Sequence, residues 1–402
     1  MKILMISGTF PPRSFGGVTK VTFNISKHLV KYGHEVIVFT TDAGDSQKTR
    51  STINKYSEIE GIKIFYFKNI NNYLAFHHRF YFPFGFISMS RRQIKNVDVI
   101  HIHENRSYLS IIATHFARKY QIPYIIQPHG DLPADFGKKR LKQIYDYFWG
   151  NSILKNAARI ITLTPHESNQ CMQKGIPKEK IEIIPNGFDY SNFPTPLEKG
   201  IFRRKFGIES RQKIILFLGR INEIKGLDLL VEAFFKVYKE IPDSILVIVG
   251  PDDGYQQFLM KLINKLNIQD RIIFTGPLYG PEKFYAYYDA DIYVLPSRYE
   301  AFPNTILEAW ACGTPVILTD SCALSTIAQQ AGIVVKPNPI HLAEAIKNLL
   351  MDEKLRESCS KRGQSLVQNE FNMEMVARKI EECYQNVILN SKMKRVRNEN
   401  VK

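Results

Sequence analysis

The sequence predicts two doubly wound, parallel α/β domains. Three observations carry that prediction. Short apolar runs alternate with stretches of helical periodicity along nearly the whole chain, the pattern of crossover-linked parallel sheets. Gly-containing turns follow several of the runs, as at Gly219-Arg220, Gly250-Pro251 and Gly276-Pro277. At 402 residues the chain is long enough for two cores.

In the first half, apolar runs predict strands at 3–7, 35–41, 62–67, 97–101, 124–127, 159–163 and 181–184. Residues 8–17 read as a Gly- and Pro-rich loop. A helix over 18–32 follows, with Val21, Ile25, Leu29 and Val30 on one face. Gly16-Gly17 lacks the G-x-G-x-x-G spacing, so no dinucleotide fingerprint is present. Ligands of such sheets sit beyond the carboxyl ends of the strands. Pro128-His129-Gly130 falls at one of those ends, and His101 and His103 at another, where they read as cleft-lining at most. None of these histidines has metal-ligand spacing.

Pro185-Asn186-Gly187 makes a turn, and 190–212 reads as a charged linker with an entry helix. Strands follow at 214–218, 245–249, 272–275, 292–295, 316–318 and 333–335. The run GRINEIKG after the first of these leads into a helix with Leu229, Leu230, Ala233 and Phe234 on one face. Arg220 offers a bidentate fork and Lys225 a point charge, a pair suited to a diphosphate.

Residues 297–319, SRYEAFPNTILEAWACGTPVILT, read as loop, helix, stop and buried strand. Pro303 suits the first helical turn. Ile306, Leu307, Trp310 and Ala311 give an apolar face, and Gly313 with Pro315 ends the helix. The helix start at Phe302, Pro303 and Asn304 favours an anion such as phosphate. Glu308, further along, can accept from ligand hydroxyls, with Glu300 just outside the helix. Asp289-Ala290-Asp291 precedes a buried strand and reads as structural. Helices are expected at 339–350, 352–370 and 371–389, and 390–402 as a basic, disordered tail.

The net charge of +15 implies an acidic partner. The basic residues are spread out with no reading motif, which argues against nucleic acid. Cys171, Cys312, Cys322, Cys359 and Cys383 are scattered, as expected of reduced cytosolic thiols. The start MKILMISGTFPP does not read as a signal peptide, and no stretch has membrane-spanning length. Residues 77–95 and 137–155 mix aromatics with Arg79, Arg91, Arg92, Lys95, Lys138, Lys139, Arg140 and Lys142. That mixture suits either an anionic membrane interface or core aromatics beside solvated charges.

The stretch from Glu300 to Val316 resembles the E-x7-E motif of retaining glycosyltransferases of family 4. Glu300, Phe302, Pro303, Glu308, Ala309, Ala311, Cys312, Gly313, Pro315 and Val316 fit it, with Ala301 where glycine is usual. Gly219, Arg220, Lys225 and Gly226 match the family's G-R-x4-K-G. Pro128-His129-Gly130 and Pro185-Asn186-Gly187-Phe188-Asp189 have counterparts. Residues 319–326 lack the family's glycine and glutamate.

The resemblance implies a GT-B enzyme with two Rossmann-like domains facing across a cleft, 1–188 and 189–370, helix 371–389 completing the first. It implies transfer with retention, from a UDP- or GDP-sugar to a glycan or lipid-linked acceptor in cell-surface polysaccharide or glycolipid synthesis. Arg220, Lys225, Gly16, Gly17, Phe302, Pro303 and Asn304 would hold the donor diphosphate and Glu308 the ribose. Glu300 would meet sugar hydroxyls and His129 would steady the sugar. No cofactor and no metal are expected. The expected place is the cytoplasm, at the inner membrane face if the interface reading holds. A sugar-nucleotide epimerase shares the fold, and a non-catalytic basic binding protein is the other rival; the paired motifs favour the transferase.

Overall fold

The computed structural model describes residues 1–12, 16–43, 56–78, 80–133 and 139–399. Arg79 and Lys138, of the aromatic-basic segments, lie outside them. The chain divides into two compact units, 1–186 with 373–402, and 187–372.

Strands of the first unit are β1 (Lys2–Ile6), β2 (Glu35–Thr41), β3 (Tyr56–Ile59), β4 (Ile62–Phe67), β5 (Val99–His103), β6 (Tyr124–Gln127), β7 (Arg159–Thr162) and β8 (Ile181–Ile183). They form one sheet in the order β3-β4-β2-β1-β5-β6-β7-β8. Every pairing is parallel except β3 with β4. The sequence does not predict β3. Its YSEI carries no buried residue, so hydrophobicity does not mark it.

The second unit holds β9 (Lys213–Leu218), β10 (Ser244–Val249), β11 (Ile272–Gly276), β12 (Ile292–Leu295), β13 (Val316–Thr319) and β14 (Gly332–Val335). All pair in parallel, in the order β11-β10-β9-β12-β13-β14. The order reverses between β9 and β12, the switch point where doubly wound sheets bind ligands. β1 and β5 make the equivalent reversal in the first unit. The near-continuous apolar strands follow from burial on both faces: β10 and β12 have no exposed residue.

One face of the first sheet packs Ile3, Met5, Val36, Val38 and Val99 against Ile380, Cys383, Tyr384 and Val387 of the Met373–Glu399 helix. The helix therefore belongs to the first unit although unit 2 separates the two in sequence. It also differs from the expected disordered tail, because helix continues to Glu399. Good helix formers such as Met, Lys and Arg fill that extension, and polarity alone does not stop a helix. All five cysteines are free and buried. Among the described residues, no helix is long and apolar enough to cross a membrane.

Candidate active site

At the switch point of the second unit, β9 runs into Gly219-Arg220 and a single 3-10 turn, Glu223–Lys225. The Asn222 side chain caps that turn, accepting from the Lys225 N–H at 3.3 Å. Gly226 then adopts φ +66°, and a Cβ there would stand 2.1 Å from the Pro296 carbonyl oxygen. Only glycine tolerates both conditions. The Arg298 N–H donates to the Ile224 carbonyl at 2.8 Å, locking the loop after β12 onto the loop after β9.

That approach sets the Lys225 ammonium on the Glu300 carboxylate in a largely buried ion pair. Ser297 Oγ donates to the same carboxylate at 3.4 Å. The Glu300 backbone is bracketed in turn: its N–H donates to the Ser321 carbonyl, and its own carbonyl accepts from the Ala323 N–H at 2.8 Å. Residues 321–323, where the family pattern breaks, thus support Glu300 through main-chain groups. Ala301 does not adopt a positive φ, so replacing the usual glycine introduces no left-handed strain.

Phe302 is buried edge-on near Phe371. The following helix spans Asn304–Ala311. Pro303 is its N-cap, with φ −79° and ψ 99°, rather than its first helical residue. Among the described residues, no side chain makes an N-cap bond there. The dipole of a helix start makes it receptive to an anion. Glu308 is buried and accepts from Lys283 Nζ at 2.7 Å and from the Tyr287 hydroxyl at 3.4 Å.

Arg220 pairs with a different carboxylate. Its guanidinium donates to Asp253 at 2.7 Å, with Asn222 Nδ2 on the same oxygen at 3.0 Å. The Asp289 carboxylate accepts from the N–H groups of Gly200 and Arg203, and Asp291 from that of Ile214. Both aspartates therefore serve the fold.

In the first unit, Gly16 and Gly17 are exposed at the start of the Gly16–Lys31 helix, Gly16 at φ +66°. His129 lies just past β6 at φ +54°, followed by Gly130 at φ +81°. A non-glycine residue there is uncommon and marks a constrained place. The buried Glu167 carboxylate holds the turn, accepting from the N–H groups of Gly130 at 2.6 Å and Leu163 at 2.8 Å. The buried Arg106 guanidinium holds residues 131–132 beyond the turn, donating to the carbonyls of Asp131 and Leu132 and, at 2.7 and 2.8 Å, to the Asp146 carboxylate.

His103 Nδ1 and His129 Nε2 are 2.8 Å apart, and His101 Nδ1 lies 2.6 Å from the Tyr384 hydroxyl. His101 and His103 are buried in the sheet rather than lining a surface, which corrects the expectation for them. Burial pulls the pKa values of His101 and His129 down to about 3, and His103 well below its usual value. All three are neutral at pH 7.

Sequence reasoning missed Lys283, Asp253, Arg106 and Glu167. Only Glu167 left a local signal: Thr164, Pro165 and Glu167 form a helix start of the T-P-x-E kind. Its bond to Gly130, far along the chain, had none.

Solved structures place this architecture among the GT-B glycosyltransferases. HepE of Anabaena, in a structure titled as a complex with UDP-glucose, superposes with a TM-score of 0.76 at 19% identity, covering 96% of this chain and all of that one. The chain belongs to the group 1, family 4 glycosyltransferases: the profile described as "Glycosyltransferase Family 4" matches residues 15–192, and "Glycosyl transferases group 1" matches 198–366. An uncharacterized glycosyltransferase of Methanocaldococcus jannaschii is 27% identical over 96% of this chain and 98% of its own length. The alpha-monoglucosyldiacylglycerol synthase of Streptococcus pneumoniae is 28% identical, over 79% of this chain and 70% of its own.

Proposed function

We propose that this glycosyltransferase takes a sugar from a nucleotide diphosphate donor, UDP- or GDP-linked, and transfers it with retention and without a metal. The observation that carries the reading is Lys225 paired with Glu300 at the switch point, the same loop leading to the helix start at Asn304. Lys225, Arg220 and that helix start stabilise charge on the departing diphosphate. Preorganised charge of this kind is usually the largest catalytic term. Gly16 and Gly17 let backbone approach phosphate, Glu308 meets the ribose and His129 the sugar. Glu300 binds sugar hydroxyls while the acceptor attacks from the leaving-group side. Its ion pair with Lys225 lowers its nucleophilicity, which favours this role over a covalent intermediate. The UDP-glucose complex of HepE supports a nucleotide-sugar donor.

The acceptor is a glycan or a lipid-linked sugar reached at an anionic membrane face. Support comes from the first unit, where Phe82, Phe84, Tyr147, Phe148 and Trp149 are all exposed. A recess of about 690 Å³ beside Ile87 is lined by Arg91, Arg92, Lys95 and Tyr120.

Donor hydrolysis across UDP-, GDP- and ADP-sugars tests the reading. One donor class should turn over, and Lys225→Ala and Arg220→Ala should each lower kcat/KM about ten- to a hundredfold, the worth of one charge-assisted contact. Unchanged kinetics in both variants would refute the diphosphate role. A sugar found covalently on Glu300 by mass spectrometry would overturn the front-face route.

A further inference from the structure

The His103–His129 contact holds one proton between two neutral rings, and which ring supplies it decides what His129 can do. His103 Nδ1 faces His129 Nε2 at 2.8 Å. The other nitrogen of His103, Nε2, is buried and has no hydrogen-bond partner. The other nitrogen of His129, Nδ1, has no partner among the described residues and is not enclosed as His103 Nε2 is. The rings lie edge to edge, 18° from parallel with 5.1 Å between centroids, the arrangement an in-plane N–H···N bond requires.

Two arrangements satisfy the contact. In one, His129 donates from Nε2. His103 must then carry its own proton on Nε2, leaving a buried N–H with no acceptor. In the other, His103 donates from Nδ1. Its Nε2 is then a bare acceptor, and His129 carries its proton on Nδ1. An orphaned buried donor is the rarer and costlier of the two defects. The second arrangement also leaves His129 with an N–H at its open edge. Burial keeps both rings neutral, so no second proton is available to blur the choice.

We infer that His103 is a positioning residue that donates to His129 Nε2 and so fixes His129 as the Nδ1–H tautomer, a hydrogen-bond donor toward substrate oxygen and not a base. The inference rests on the proposed sugar-binding role of His129 for its catalytic meaning, but not for the tautomer itself. Glu167 and the φ +54° backbone keep the ring in the register that His103 requires.

Nitrogen-15 NMR of histidine-labelled full-length protein decides it, because the two neutral tautomers give different Nδ1 and Nε2 shifts. His129 should appear with its proton on Nδ1; a proton on Nε2 overturns the inference outright. His103→Phe removes the donor and should leave His129 a tautomer mixture. With one hydrogen bond lost, donor turnover should fall about tenfold in kcat with donor KM within about twofold. His103→Asn, whose amide N–H occupies nearly the place of Nδ1, should restore the tautomer and bring kcat within about threefold of the original. It also serves if the Phe variant folds poorly. An unchanged tautomer and kcat in His103→Phe would sink the positioning role. If His129→Ala leaves turnover unchanged, the sugar-binding reading fails, while the spectrum still decides what His103 does.

Discussion

Glu308 and Lys283 are 25 positions apart and share one buried ion pair of 2.7 Å. Glu308 was visible in the sequence as half of a spaced carboxylate pair. Lys283 was not, because it sits in the aromatic run PEKFYAYY with nothing to name its partner. Its consequence is energetic: a carboxylate with only 6% of its side-chain surface exposed depends on that lysine. Lys283→Met should therefore destabilise the protein by about 3–5 kcal/mol, the cost of a buried charge left uncompensated. Adding Glu308→Leu should recover most of the loss, since replacing a whole buried pair by apolar groups is often neutral. Urea unfolding of the two single variants and the double variant measures it. Additive losses would mean that the pair is not coupled.

The same distinction runs through the elements. Strand interiors were legible because burial on both faces demands apolar runs: β2, β4, β6 and β12 occupy the residues expected of them. β3 was illegible because an edge strand buries little. The end of the last helix was illegible because its polar residues suit helix and coil alike. The cap role of Pro303 and the embedding of His101 depend on neighbours that local pattern does not reveal.

The two aromatic-basic segments divided. Tyr81 and Phe86 join the core, whereas Phe82 and Phe84 stay exposed with Tyr147, Phe148 and Trp149. The exposed set predicts binding to anionic vesicles, with partial release by salt: each Lys or Arg near the surface gains about 1 kcal/mol, which screening removes, while the aromatic contribution persists. Arg91→Ser, Arg92→Ser and Lys95→Ser together should weaken sedimentation with such vesicles and leave donor hydrolysis intact. Protein that stays in the supernatant at low salt would exclude the membrane reading.

At the scale of the whole molecule, both sheets were foreshadowed by the alternation of strand and helix, and the family by its two spaced motifs. The partners that hold each site residue came only from the three-dimensional structure. The face of the first sheet that carries Met5 and Val99 is closed by Ile380, Cys383, Tyr384 and Val387, from the last helix of the chain. Val21, Ile25 and Leu29 of the Gly16–Lys31 helix cover part of that face, but the rest stays open until the last helix leaves the ribosome. The second unit is contiguous and lacks that dependence. Domains usually fold in the order they are made; here the later unit should settle first, with the earlier one waiting on the final helix. Ribosome-stalled chains carrying residues 1–372 and an unstructured spacer long enough to clear the exit tunnel should thus resist protease across 187–372 while 1–186 is cleaved. Equal protection of both parts would show that the amino-terminal sheet holds together without its last helix.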